Sequence, residues 1–115
     1  MASRLPTGWY PRRGEVYLVR LAGGKARPAI VLSADALNRH ALDVCVVPIT
    51  TVHRTEFSLR IPLRAGEGGL ARDSWAKGDQ VHTIEKAALR YPPLGRLSAS
   101  ILRKVEEAVR ITLQL

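Results

Sequence analysis

Two residues of this sequence combine a side chain suited to phosphate chemistry with a position at the end of an apolar segment. Arg27 opens the run RPAIVLS, and Thr50 closes the run VCVVPIT. A guanidinium and a hydroxyl held side by side can bind and polarise a phosphate group. Short apolar strands bounded by proline also occur in β-proteins without any catalytic role. On these two segments alone, a purely structural interpretation stays open.

Both runs are predicted β-strands, and a rigid sheet would aim the side chains at their ends. The sequence predicts an earlier strand from Glu15 to Leu21. The Gly23-Gly24 turn then predicts that this strand and the Arg27 strand form a hairpin. After Ser33, which can cap a helix, residues 34–39 are compatible with one or two helical turns.

The second half of the chain continues with strands and ends in a helix. Alternation of Phe57, Leu59 and Ile61 with polar residues predicts a fourth strand. Segments 74–77 and 80–84 are further strand pieces around Gly78, where a bulge or a close backbone approach is expected. Residues 94–97 are typical of a short last strand. The apolar spacing over 101–113 predicts a helix capped by Ser98 or Ser100.

Composition indicates one compact basic domain that attracts polyanions. The chain has 115 residues and a formal net charge of +8, and the excess of Lys and Arg is spread over strands and loops, as in a basic groove. Residues 1–12 are predicted to be a flexible N-terminal tail, and 13–115 the domain. No apolar run reaches the ~20 residues of a membrane span, so a cytoplasmic protein is expected. Cys45, the single cysteine, is predicted to be a small buried hydrophobe.

Other chemistry-bearing side chains are scattered. No His, Cys or carboxylate cluster has metal-ligand spacing, so no metal site and no cofactor are expected. His40 and His53 lie in loop-like surroundings. Trp75 is open to two interpretations, a core or interface aromatic and a base-stacking residue. Trp9 and Tyr10 are open in the same way.

Five short motifs occur in an order that resembles the MazF/PemK family of toxin endoribonucleases. They are RGEVY from Arg13, RPAIVL from Arg27, VVPIT ending at Thr50, DQVHTIEK from Asp79 and LGRLS from Leu94. Each motif is weak alone, but together with the terminal helix they extend the resemblance from Arg12 to the C-terminus.

The resemblance implies a mainly β fold with some α, a small SH3-like barrel of the CcdB/MazF/PemK type with a C-terminal helix. It implies a homodimer that cleaves single-stranded RNA, expected to be messenger RNA, at short sequence motifs, and thereby inhibits translation and growth. It also implies inhibition by an antitoxin of the MazE type. The family's catalytic arginine and threonine fall on Arg27 and Thr50, and Arg13, Lys25, Gln80 and His82 are the expected RNA-binding residues.

The resemblance also implies cleavage without a metal, by attack of the ribose 2′-hydroxyl, with a 2′,3′-cyclic phosphate and a 5′-hydroxyl as the expected products. Two departures from the family pattern stand out here. The connection of residues 22–26 before Arg27 is short, which leaves the sequence preference open. His82 stands where members often have Arg or Lys, so phosphate contact, proton transfer and a plain surface role all remain open.

Two other functions are compatible with parts of the sequence. CcdB-like gyrase poisons share the fold and inhibit a protein partner without cutting nucleic acid, but they use an aromatic-containing C-terminus. This chain has no aromatic residue after Tyr91. A non-catalytic RNA-binding module would retain RNA without cleaving it, and the presence of both Arg27 and Thr50 argues against that function.

Overall fold

Alternating apolar and polar residues build a mainly β molecule with one long C-terminal helix, which confirms the expected fold class. The structure is a computed structural model, and it describes residues 5–21, 24–53 and 59–115. The elements in chain order are β1 (Glu15–Arg20), β2 (Ala26–Val31), α1 (Asp35–His40), β3 (Asp43–Thr50), β4 (Arg60–Leu63), β5 (Ser74–Lys77), β6 (His82–Glu85), β7 (Arg90–Arg96) and α2 (Ala99–Leu113). Single 3₁₀ turns cover Glu67–Gly69 and Lys86–Ala88.

The sheet is organised around β3, which pairs with β2, β5 and β6, always antiparallel. The strand order is β4-β5-β3-β2-β1-β7, and β6 pairs with the first half of β3. The end of β3 pairs instead with β5, where Thr50 lies opposite Trp75. Because β3 exchanges β6 for β5 along its length, the connection of residues 78–81 between those two strands lies beside the exchange.

The two faces of the sheet bury two separate apolar clusters, as the alternation of side chains along each strand requires. The larger cluster packs under α2 and includes Val16, Ile30, Val47, Ile49 and Val105. The smaller cluster, on the opposite face, includes Tyr17, Val19, Ala29, Val31 and Val46, with Trp9 packed against it. The start of β2, with Arg27, and the end of β3, with Thr50, extend beyond this smaller cluster.

Several sequence predictions about single elements are confirmed. The β1–β2 hairpin forms, with Val19 opposite Arg27, although Gly23 of its predicted turn lies outside the described residues. Gly78 is a close approach: a Cβ there would lie 2.4 Å from the Cβ of Ala108 and 2.6 Å from the carbonyl oxygen of Leu59. The Thr112 hydroxyl donates to the Gly78 carbonyl at 3.0 Å, so α2 is tied to the chain just after β5.

The fourth strand and the cap of α1 differ from the prediction. β4 begins at Arg60, whereas Phe57 of the predicted strand lies outside the described residues. Ala34, not Ser33, is the N-cap of α1. Ser33 is buried two residues after β2, where its hydroxyl donates to Asn38 Oδ1 at 2.5 Å and accepts the Cys45 N–H at 3.1 Å. A buried hydroxyl between three elements satisfies those partners rather than the helix end.

Helix α2 begins after Ser98, one of the two residues predicted as its cap. Ser98 occupies the N-cap position of α2 but makes no side-chain cap hydrogen bond. Its backbone N–H and its hydroxyl instead donate to the two carboxylate oxygens of Glu67, at 2.7 and 3.3 Å. The negative charge beside the helix N-terminus complements the helix dipole, so the 3₁₀ turn at Glu67 anchors the start of α2.

The second half of the predicted N-terminal tail contacts the sheet. The Trp9 ring makes edge contacts with Tyr17 and Tyr91 at centroid distances of 6.2 and 6.1 Å. Burial, and then the hydrogen bond to Glu15, raises the pKa of Tyr17 above its ordinary value. The Tyr17 hydroxyl donates to Glu15 Oε1 at 2.9 Å. The boundary between a tail of residues 1–12 and a domain of 13–115 stays a prediction.

The side chain of Cys45 is only half buried, in contrast to the prediction of a buried hydrophobe. Its neighbours Val44 and Val46 face the smaller cluster, so the alternation of the strand turns Cys45 away from it. Its sulfur lies 3.8 Å from the Thr83 hydroxyl on β6. Among the described helices, none is long and apolar enough to cross a membrane.

Candidate active site

Strand register brings Arg27 and Thr50 to neighbouring positions. Ala29 lies opposite Pro48 in the antiparallel β2–β3 pair. Arg27 precedes Ala29 by two residues and Thr50 follows Pro48 by two, so both lie the same distance from this pair in the same direction along the sheet. Their side chains therefore project to the same face, away from the larger cluster and α2. The sequence prediction that two strand ends would hold these groups together is consistent with this arrangement.

Both side chains line one cavity of about 350 Å³. Its polar lining consists of Arg27, Thr50, Lys77, Gln80 and His82, and its apolar lining of Leu21, Pro48, Ile49 and Val52. Four of the residues predicted from the sequence are thus brought together. Lys77 was not predicted as a site residue. The sequence signal for it was its alternation along β5 with the core residue Ala76, which turns Lys77 to the opposite face.

Thr50 presents a hydroxyl whose orientation the backbone limits. The residue is 8% exposed, and its Oγ1 accepts the backbone N–H of Val52 at 3.1 Å. That hydrogen bond occupies a lone pair of the oxygen and leaves the hydroxyl proton free to rotate toward an acceptor. Thr50 is therefore arranged to donate a hydrogen bond into the cavity.

Arg27 presents an exposed guanidinium at the mouth of the same cavity. Within the described ranges, no carboxylate forms an ion pair with it. The described lining residues include no acidic side chain, while they do include a second cation, Lys77, and the titratable His82. Guanidinium groups bind phosphate oxygens through paired N–H donors. The cavity is therefore suited to a phosphodiester, and its fixed donors can stabilise charge that builds on phosphoryl oxygens.

Two predicted RNA-binding residues lie elsewhere. Lys25 is exposed next to β2 and is not among the lining residues. Arg13 forms an ion pair with Glu106 of α2, and its Nε donates to the Leu32 carbonyl at 2.8 Å. Its backbone N–H donates to Asp35 Oδ1 at 2.7 Å. Arg13 thus joins the chain before β1 to α1 through its backbone N–H and to α2 through its guanidinium.

Replacing Arg13 should therefore affect stability more than RNA binding. Arg13→Ala removes the ion pair and the hydrogen bond to Leu32, and we expect a loss of about 1–2 kcal/mol in the free energy of unfolding. Lys25→Ala is the matched control, since it removes an exposed cation and should change stability by less than about 0.5 kcal/mol. Urea denaturation of both variants measures the difference. Equal stability of the two variants would contradict the joining role of Arg13.

Within residues 5–21, 24–53 and 59–115, no three His, Cys, Asp or Glu side chains form a group that could hold a metal ion.

Comparison with known proteins places this arrangement in a protein class. The fold, a small antiparallel β-sheet with a C-terminal helix, is similar to that of the solved Mycobacterium tuberculosis toxin MazF-mt6, with a TM-score of 0.77 at 30% identity over 88% of this chain and 97% of that chain. The profile of the PemK-like, MazF-like toxin of type II toxin–antitoxin systems matches residues 12–113. The chain belongs to this family.

Individual relatives are similar over nearly their whole length. Endoribonuclease MazF9 of Mycobacterium tuberculosis is 34% identical over 115 residues, covering 90% of this chain and 97% of that protein. Endoribonuclease MazF4 of the same species is 32% identical over 106 residues, covering 91% and 94%. A mycobacterial endoribonuclease solved in complex with its cognate antitoxin superposes with a TM-score of 0.80 at 30% identity, covering 91% of this chain and 96% of that chain.

Proposed function

We propose that this protein is a toxin endoribonuclease that cleaves single-stranded RNA, expected to be messenger RNA, at short sequence motifs without a metal ion. The observation that carries the proposal is the shared cavity of Arg27 and Thr50, on a chain of the PemK-like, MazF-like family. Relatives at 32–34% identity are named endoribonucleases.

The reaction follows from the groups in the cavity. The ribose 2′-oxygen attacks the adjacent phosphorus and gives its proton to water, and the bond from phosphorus to the 5′-oxygen of the next nucleotide breaks. The leaving 5′-oxygen takes up a proton from water, so the products are a 2′,3′-cyclic phosphate and a 5′-hydroxyl. Arg27 donates two hydrogen bonds to the non-bridging oxygens, where charge builds up. Thr50 donates a further hydrogen bond and thereby orients the phosphate.

His82 and Gln80 act on the RNA beyond the scissile phosphate. His82 lies opposite Val46, four residues before Thr50 along β3, which corresponds to about 13 Å of strand. This separation supports a contact of His82 with the RNA at some distance from the phosphate held by Arg27 and Thr50. We assign to His82 a contact with a neighbouring phosphate and to Gln80 a hydrogen bond to the backbone or a base edge.

Regulation and location complete the proposal. The solved relative is bound to its cognate antitoxin, and the net charge of +8 of this chain favours an acidic partner segment. We therefore propose a homodimeric toxin that acts in the cytoplasm, inhibits translation and growth, and is inhibited by an antitoxin of the MazE type. The acidic segment would compete with RNA for the same cations and fold as it binds.

The alternative, a CcdB-like gyrase poison, requires no cavity for a phosphodiester. Helix α2 carries no aromatic side chain that could insert into a protein partner. Gyrase supercoiling in the presence of this protein, compared with RNA cleavage under the same conditions, separates the two functions.

Incubating the purified protein with a mixed RNA pool in excess EDTA tests the proposed function. We expect cleavage at a short recurrent motif, with 5′-hydroxyl and 2′,3′-cyclic phosphate ends, because the cavity provides the charge stabilisation without a metal. Ligation-dependent end mapping identifies both kinds of end. Intact RNA, or 5′-phosphate ends that disappear when EDTA is added, would contradict the proposal.

A further inference from the structure

The loop after β3 and the strand β5 place two aromatic rings in a stack beside the candidate active site. The ring centroids of His53 and Trp75 are 4.8 Å apart, and the ring planes meet at 21°. His53 is exposed, whereas Trp75 is partly buried. Trp75 therefore supports a platform, here called the His53–Trp75 platform, whose outer surface is the imidazole ring.

Strand register shows that this platform continues from the active-site cavity. Thr50 lies opposite Trp75, and Ile49 lies opposite Ala76. Ile49 and Ala76 belong to the larger cluster under α2, so Thr50 and Trp75 project to the other face. Lys77, which lines the cavity, lies two residues from Trp75 on the same side of β5, or about 7 Å along the strand.

A ring platform next to a cationic cavity has the composition of a single-strand binding site. Cations follow the phosphate backbone, and aromatic side chains stack with bases, because every base has a π-face. Among the described residues, Trp75 is the only one whose ring contacts His53. The other face of the imidazole therefore has no described ring partner.

We propose that a nucleobase adjacent to the cut site stacks on the exposed face of His53 and extends the His53–Trp75 platform by one ring. This inference rests on the proposed function, because it takes the ligand to be single-stranded RNA. Stacking there would hold one flanking nucleotide while Arg27 and Thr50 hold the scissile phosphate. The platform thus becomes a subsite for a flanking base, tolerant of base identity.

Tryptophan fluorescence reports on the stack directly. The chain has two tryptophans, so Trp9→Phe leaves Trp75 as the only one. The probe is a single-stranded 2′-O-methyl oligonucleotide that contains the mapped cleavage motif. Because its 2′-oxygens are methylated, it has no 2′-hydroxyl that could attack the phosphorus. We expect binding of this probe to change the emission of Trp75. The matched variant Trp75→Phe retains Trp9, whose emission should stay constant.

Substitution of His53 tests whether the imidazole carries the base. In anisotropy measurements with the labelled probe, His53→Ala should weaken binding about 5- to 50-fold, and His53→Phe should retain most of the affinity. An abasic site introduced at each probe position in turn should weaken binding to the wild-type protein at one flanking position. That same abasic probe should show no further loss with His53→Ala. The thermal transition of each variant confirms folding.

The outcomes separate this inference from the proposed function. Unchanged or tighter binding by His53→Ala, with Trp75 emission unaffected by the probe, would overturn the stacking subsite even if RNA is cleaved as proposed. Conversely, if the protein leaves RNA intact and no motif can be mapped, the same measurement uses a 2′-O-methyl probe of mixed sequence, and a normal stacking signal with it would contradict only the cleavage function. Loss of affinity in His53→Phe equal to that in His53→Ala would also overturn the inference.

Discussion

Cleavage should stop when the 2′-hydroxyl at the cut site is replaced by hydrogen. The proposed mechanism uses this oxygen as its nucleophile, and Thr50, the hydroxyl that lines the cavity with Arg27, is arranged as a donor to phosphate rather than as an attacking group. Without the 2′-oxygen, the described lining residues offer no substitute nucleophile of comparable reactivity. We therefore expect cleavage of the deoxy-substituted site to fall below detection, whereas binding changes little.

The substrates for this test differ at single nucleotides. An RNA with the mapped motif is compared with one carrying a single deoxynucleotide on the 5′ side of the scissile phosphate, and with a control carrying it one position away. Gel analysis of end-labelled substrates measures the rates. The control should be cut within a few-fold of the all-RNA substrate. Rapid cutting of the first deoxy substrate would show that water attacks the phosphorus and would refute the mechanism.

Arg27→Ala should reduce kcat/KM by about 10²- to 10³-fold, the effect typical of removing a donor that stabilises charge in the transition state. The guanidinium is exposed and forms no ion pair with a described carboxylate, so the thermal transition should be nearly unchanged. Arg27→Lys should recover little of the rate, because an ammonium cannot form the two parallel hydrogen bonds of a guanidinium.

Arg20 provides the matched control for Arg27. It is an exposed arginine at the end of β1, opposite Ala26, and it does not line the cavity. Arg20→Ala removes the same charge from the neighbouring strand, so it corrects for any general effect of net charge on RNA affinity. Initial rates for both variants, at several RNA concentrations, separate kcat from KM. Full activity in Arg27→Ala would rule out its catalytic role.

Much of the fold was predictable because it depends on local periodicity. The strand runs before Ser33 and up to Thr50 appear as β2 and β3, and the apolar spacing beyond Ser100 appears as α2. Gly78 was recognisable because only a glycine permits the close approach of Ala108 that the structure shows. The strand-end positions of Arg27 and Thr50 follow from the same local pattern.

Side-chain partnerships, in contrast, were decided by the tertiary structure. No sequence pattern indicated that the guanidinium of Arg13 pairs with Glu106 of α2, which is remote in sequence, and contact of Arg13 with RNA stays a prediction. Ser33 was expected to cap α1, yet the pairing of β2 with β3 brings it to the Cys45 N–H. Neither partner can be identified from periodicity, since it depends on which elements meet after folding.

The same distinction between local pattern and tertiary structure applies to the residues of the candidate site. The sequence alone predicted Arg27 and Thr50 as residues for phosphate chemistry, which stays a prediction, and it predicted their positions near strand ends, which the structure shows. Only the tertiary structure brought Lys77 into the same cavity and stacked His53 on Trp75 beside it. The reason is physical: alternation along a strand fixes the face on which a side chain lies, but its neighbours on that face depend on the register between strands that are distant in the chain.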